Sequence, residues 1–112
     1  MNTDYMVSDK VKVWLTCPET HAEAVRMAIG DAGIGNIGNY THCSFVTKGK
    51  GYFMPNTGAN PTIGEVGKLE EVNEVVIEFV CEKDQISLLK EVVKKNHPYE
   101  EVAMDIFPLL DF

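Results

Sequence analysis

Arginine is nearly missing from this chain, and that scarcity is the first constraint on its chemistry. Arg26 is the only one, the lysines are scattered apart from Lys94-Lys95, and the formal net charge is -7. Phosphate backbones and anionic membranes are held by clustered basic side chains, so no nucleic-acid or membrane partner is expected. No apolar run approaches the roughly 18 to 20 residues that span a bilayer. The first ten residues lack a cationic start followed by an apolar stretch, so no secretory leader is expected and the cytoplasm is the expected compartment. Cysteine is sparse too. Cys17, Cys43 and Cys81 are odd in number and form no CxxC pair, which excludes a local structural zinc site. Each lies in an apolar, strand-like run and is expected as a buried reduced thiol. There is no low-complexity segment, no linker and no repeat beyond two similar halves. The 112 residues therefore make one domain with one core.

Hydrophobic periodicity supplies the plan. Residues 1–9 are polar and expected to fray, leaving 10–112 as the folded domain. Lys10 to Cys17 alternates, with Val11, Val13, Leu15 and Cys17 on one face and Lys12, Trp14 and Thr16 on the other, which predicts a strand ended by Pro18. Thr20-His21-Ala22-Glu23 reads as a capping box opening a helix, with Val25, Ala28, Ile29 and Ala32 at helical spacing and a stop at Gly33 or Gly35. His21, in the first turn, is expected to be neutral and exposed. A second strand is expected within 36–48, a turn at Gly49-Lys50-Gly51, a short return strand at Tyr52-Phe53-Met54, and loop chemistry to Gly67. A strand over 70–82, a helix capped by Asp84 with Ile86, Leu89, Val92 and Val93 on one face, and a strand over 102–108 complete the order. Strand, helix, strand, strand, helix, strand is the ferredoxin-like βαββαβ plan: an α+β fold with an antiparallel sheet, both helices on one face, and an elaborated loop at 49–67.

Such a sheet leaves one face to water. Alternation nevertheless puts Trp14, Val76 and Val80 on that face. An apolar second face needs a cover. Self-association through these three residues is the simplest one; the other is the 49–67 loop folding back.

The densest polar run is His97-Pro98-Tyr99-Glu100-Glu101, just after the second helix. Pro98 fixes its own φ and pushes His97 out of helical geometry, so these groups sit on a stiff corner. His97 with Glu100, joined by His42, is the best metal constellation available, and a divalent metal is the cofactor it would take. The competing reading has His97 and Glu100 hydrogen-bonding the backbone and setting the register of the last strand. Nucleophilic catalysis fits poorly: His42 and Cys43 point apart on a strand, and Ser44 with His42 lacks a third, orienting group.

Gly38-Asn39-Tyr40-Thr41-His42-Cys43-Ser44-Phe45, Gly49-Lys50-Gly51-Tyr52-Phe53, Gly58-Ala59-Asn60-Pro61-Thr62-Ile63-Gly64 and the run from His97 through Pro108 resemble, in order, the YqfO-type inserted domain of the Nif-three-like family. The resemblance covers about Val11 to Leu109. The HPYE corner is also similar to the CutA family, a trimeric ferredoxin-like group related in shape to PII signalling proteins. These resemblances imply a PII/CutA-like fold, a homotrimer, and a non-catalytic binding or regulatory module. By resemblance to PII, the 49–67 loop would hold an unknown small ligand or protein partner, with Lys50, Gly58, Asn60 and Gly64 as its candidate residues. Larger Nif-three-like proteins resemble di-metal hydrolases whose ligands come from the flanking halves. The resemblance places those halves outside the residues in hand, so the domain is expected to stand alone. A metal-dependent hydrolase, or a divalent-metal-binding protein by analogy with CutA, is the alternative.

Overall fold

A computed structural model describes residues 6–111 of the chain. Its order is β1 (Met6–Pro18), α1 (Ala22–Asp31), β2 (Phe45–Phe53), β3 (Glu70–Glu82), α2 (Ile86–Asn96) and β4 (Met104–Asp111), with short 3-10 turns at Glu19–His21 and Lys83–Gln85. The strands form one sheet in the order β2-β3-β1-β4 with antiparallel pairing throughout. This is the expected ferredoxin-like architecture, with β2 and β4 at the edges.

The alternating residues do what their period dictates. Val11, Val13, Leu15 and Cys17 of β1 and Val75, Ile77, Phe79 and Cys81 of β3 are buried in one cluster with Val25 and Ile29 of α1 and Leu89 and Val93 of α2. Both helices therefore cover the same face. Gln85 joins their ends: its Nε2 donates to the Gly33 carbonyl at 3.0 Å, and its Oε1 accepts the Glu82 N–H at 3.1 Å. Residues in register across the sheet share a face, so Phe45, Glu78, Trp14 and Asp105 line up on the open side, followed by Thr47, Val76 and Thr16.

Four local expectations are corrected. β1 begins at Met6, inside the stretch read as frayed, because Met6 and Val7 pair with Asp111 and Leu110 beyond a bulge where the Ser8 hydroxyl accepts the Lys10 N–H; residues 1–5 lie outside the described residues. Gly49-Lys50-Gly51 is not a turn. It continues β2 opposite Glu74, Asn73 and Val72, so Tyr52 and Phe53 extend that strand instead of returning. The segment 36–44 is irregular, with only an Ile37–Tyr40 bridge, and β2 starts at Phe45. Neither predicted cap is used. The Thr20 hydroxyl bonds the adjacent His21 Nδ1, and Glu82, not Asp84, precedes the second helical segment with Gln85 closing back on its N–H.

Candidate functional site: a groove beneath the 54–69 loop

The last third of the chain builds a fixed post. α2 ends where His97 leaves helical geometry (φ -85°, ψ 137°) while its N–H still closes on the Val93 carbonyl at 2.8 Å. The His97 ring then turns inward and is 7 % exposed. Its Nε2 lies 2.7 Å from the Thr16 carbonyl, and its Nδ1 lies 3.1 Å from the Tyr99 N–H. A carbonyl can only accept and an N–H can only donate, so the imidazole is neutral with its proton on Nε2. Burial holds its pKa below the usual histidine value, against the opposing pull of the Thr16 bond and the Glu74 charge. The structure thus places His97 in the backbone-bonding role, tying the corner to β1.

Tyr99 is aimed by the same corner at the open face of the sheet. Its hydroxyl donates to Glu74 Oε2 at 3.0 Å, and its ring meets Phe53 edge-on with centroids 5.7 Å apart. Burial, then the Glu74 bond and charge, push the Tyr99 pKa well above the phenolic range, so the phenol stays a donor. Glu74, on β3, is only 9 % exposed. Room for its carboxylate comes from β2: a Cβ on Gly51 would overlap Glu74 Oε1. Glycine here serves close approach across a strand pair, the use that a reading of Gly-Lys-Gly as turn chemistry misses.

The 54–69 loop docks against this post. The Asn60 N–H donates to Glu100 Oε1 at 2.8 Å and the Thr62 hydroxyl to the Pro98 carbonyl at 2.6 Å. Between loop, corner and sheet lies a groove of about 430 Å³, walled by Phe53, Met54, Pro61, Ile63 and Tyr99 and reached by Thr16, Gly51, Glu74, Glu100 and Glu101. Its size and its apolar walls with few polar groups match small-molecule sites. Burial, and secondarily Glu74, push the nearby Cys17 thiol up to about 11; Cys81 reaches the same value chiefly by burial, so both remain thiols in the core.

The predicted site residues divide accordingly. Asn60 and Glu100 meet, though they were assigned to different sites. Gly58 and Gly64 take positive φ and shape the loop, and neither they nor Asn60 lines the groove. Lys50 is not in the loop: it lies on β2, on the helix-side phase of that edge strand, with Nζ on Asn73 Oδ1 at 3.1 Å and Glu71 Oε1 at 3.0 Å. The metal trio does not form. His42, at a φ of 58°, bonds Asp31 at 2.9 Å and Thr41 at 2.9 Å beside Gly30, while both nitrogens of His97 are engaged elsewhere. Among the described residues no three His, Cys, Asp or Glu side chains converge as a metal site, so this donor set does not fit a divalent cation. Cys43 precedes β2 and is half-buried, not a strand thiol. Trp14, Val76 and Val80 are half-buried on the open face, where Phe45 and Phe107 are well exposed. Sequence reasoning missed Glu74, Phe53 and Thr16. Glu74 does share the alternating phase of Val76 and Val80, but only the pairing with β2 shows Gly51 making space for it.

No helix among the described residues is long and apolar enough to cross a membrane. No protein-family model matches the chain. Curated relatives do: it is 48 % identical over 98 residues to the GTP cyclohydrolase 1 type 2 homolog of Bacillus subtilis and 43 % identical over 93 residues to that of Mycobacterium tuberculosis. The match covers 88 % of this chain but 26 % of the first relative, and 83 % and 24 % for the second. Among solved structures it resembles the Bacillus cereus protein related to NIF3, with TM-score 0.77 and 42 % identity over 97 % of this chain and 27 % of that one. The periplasmic divalent cation tolerance protein CutA of Archaeoglobus fulgidus shares the fold at TM-score 0.66 and 16 % identity, covering 89 % of this chain and 83 % of that one. The chain is a homologue of one segment, about a quarter of the length, of these NIF3-related, YqfO-type relatives.

Proposed function

We propose that this chain is a non-catalytic binding module of the PII/CutA type that receives a small ligand in the groove beneath the 54–69 loop and assembles as a homotrimer through the open face of its sheet. One observation carries the first half of this reading. The loop is pinned to the His97–Glu101 corner by two backbone-linked hydrogen bonds, yet leaves about 430 Å³ between itself and the sheet. A loop whose only task was to cover the sheet would close that space with its own side chains, because protein interiors pack to crystal-like density. The open face supports the second half. Half-buried Trp14 stands among exposed Phe45 and Phe107, and it is not among the residues that line the groove beneath the 54–69 loop.

The test is a thermal-shift screen of a metabolite library, run in parallel on wild type and on Ala59→Trp. Ala59 lines the groove and is half-buried, so a tryptophan there occupies ligand space without touching the core. Compounds that raise the melting temperature of wild type but not of Ala59→Trp support the reading. Compounds that stabilise both proteins equally place binding elsewhere and defeat it.

A further inference from the structure

Glu74 is a carboxylate nine-tenths buried without a cation. Arg26, Lys48, Lys50 and Lys68 are paired with other acids, and no ion pair to Glu74 exists among the described residues. Tyr99 takes Oε2; Oε1 accepts no hydrogen bond from any described residue. No side-chain polar atom among the described residues is both buried and unpartnered, so Oε1 keeps access to the groove, and the absence of a side chain at Gly51 is what gives it room there. The other titratable groups facing the groove are Glu100 and Glu101, of the same sign, and the phenols of Tyr52 and Tyr99, the latter held neutral; the adjacent His97 has both nitrogens spent. The groove therefore has one buried anionic acceptor left open, the exposed carboxylates of Glu100 and Glu101 beside it, apolar and aromatic walls, and no cation of its own. Resting on the groove as the binding site, we infer that its ligand is a small organic primary amine. The ammonium bonds Glu74 Oε1 and the apolar stem lies against Phe53, Ile63 and Tyr99.

Four features select this class. A bare metal ion would need several converging oxygens and would leave the apolar walls idle. A guanidinium prefers both oxygens of a carboxylate, and Tyr99 already holds one; an ammonium is a point donor that needs only one. Phe53 and Tyr99 present rings on which an ammonium and an aromatic or aliphatic stem both gain. About 430 Å³ admits a molecule of that size and not a folded partner.

The experiment titrates 2-phenylethylamine, its neutral counterpart 2-phenylethanol, and 3-phenylpropanoate into the ¹⁵N-labelled protein, following the amides of Gly51, Tyr52 and Phe53. The amine is expected to bind about tenfold or more tighter than the alcohol, as a charge-assisted bond requires, and the carboxylate not at all. Glu74→Gln should erase the amine's advantage, which general attraction to an acidic protein would not. Should that variant unfold, Gly51→Ala decides: its methyl takes the space of Glu74 Oε1 while keeping the protein's charge, and it must abolish the preference, which general attraction would leave in place. Equal binding of amine and alcohol, or a preference that survives Glu74→Gln, overturns the ammonium assignment and leaves the groove reading intact. No shift at these amides with any of the three compounds overturns both.

Discussion

Replacing His97 tests whether the corner is a structural tie. His97→Ala removes the 2.7 Å bond to the Thr16 carbonyl and the 3.1 Å bond from the Tyr99 N–H. Each is worth about 1 kcal/mol net. Loss of a ring that is 7 % exposed adds roughly 1–2 kcal/mol of lost burial and cavity. The expected loss is about 3 kcal/mol. With an unfolding entropy near 0.24 kcal/mol/K for a domain of this size, that lowers Tm by about 13 °C. His97→Gln can restore a donor toward Thr16 and should lose about half as much. Urea denaturation followed by tryptophan fluorescence reads both, since Trp14 is the only Trp. A loss below about 1 kcal/mol for His97→Ala with an unchanged m value would refute the tie. If the corner is what aims Tyr99, the near-ultraviolet circular dichroism of the tyrosines should flatten in His97→Ala before any global unfolding.

The same histidine sets a pH dependence: its folded pKa lies below the ordinary 6.5, so the unfolded state binds more protons as the medium acidifies. Its contribution to stability is complete above about pH 6.5 and is lost as the pH falls from there through the folded value; urea midpoints across pH 4.5 to 7.5 should show that slope in wild type and a smaller one in His97→Gln, and equal slopes would count against the assignment. Gly51→Ala pushes a methyl into the space of the Glu74 carboxylate, a movable side-chain end, and should cost about 1 kcal/mol by breaking the Tyr99–Glu74 bond; retention of that bond in a crystal structure of the variant would show the close approach to be incidental. Trp14→Glu introduces a charge in register with Glu78 and Asp105. It should leave a folded monomer by native mass spectrometry, whereas an unchanged assembly mass would remove Trp14 from the interface.

Period-two alternation in β1 and β3 carried the sheet. Val11, Val13, Leu15, Val75, Ile77 and Phe79 have no other way to be buried together, so architecture and core are legible in the sequence itself. Glycine was less readable, because it serves two opposite ends. At 58 and 64 it bends the chain as turn chemistry suggests. At 51 it sits in a straight strand and yields its space to a residue 23 positions later. No local rule distinguishes these uses; only the register of β2 against β3 does. The metal trio failed for a related reason. His42, His97 and Glu100 were joined by residue type, and the fold gave each a nearer partner in Asp31, Thr16 and Asn60. The corner itself was legible because Pro98 restricts its neighbours, but its counterpart Glu74 lay in an apolar run where a lone carboxylate reads as a solvent-facing strand position.

Met6 of β1 and Asp111 of β4 are direct partners in the ladder. Strand partners stand about 4.5–5.5 Å apart at their Cα atoms, so the described chain enters and leaves through a single narrow doorway at one corner of the sheet. A host polypeptide could surrender one peptide bond in a surface loop, receive this unit, and resume its path with almost no displacement of the flanking residues. The same doorway could be sealed by a few residues to make the chain circular, with every strand keeping its neighbours.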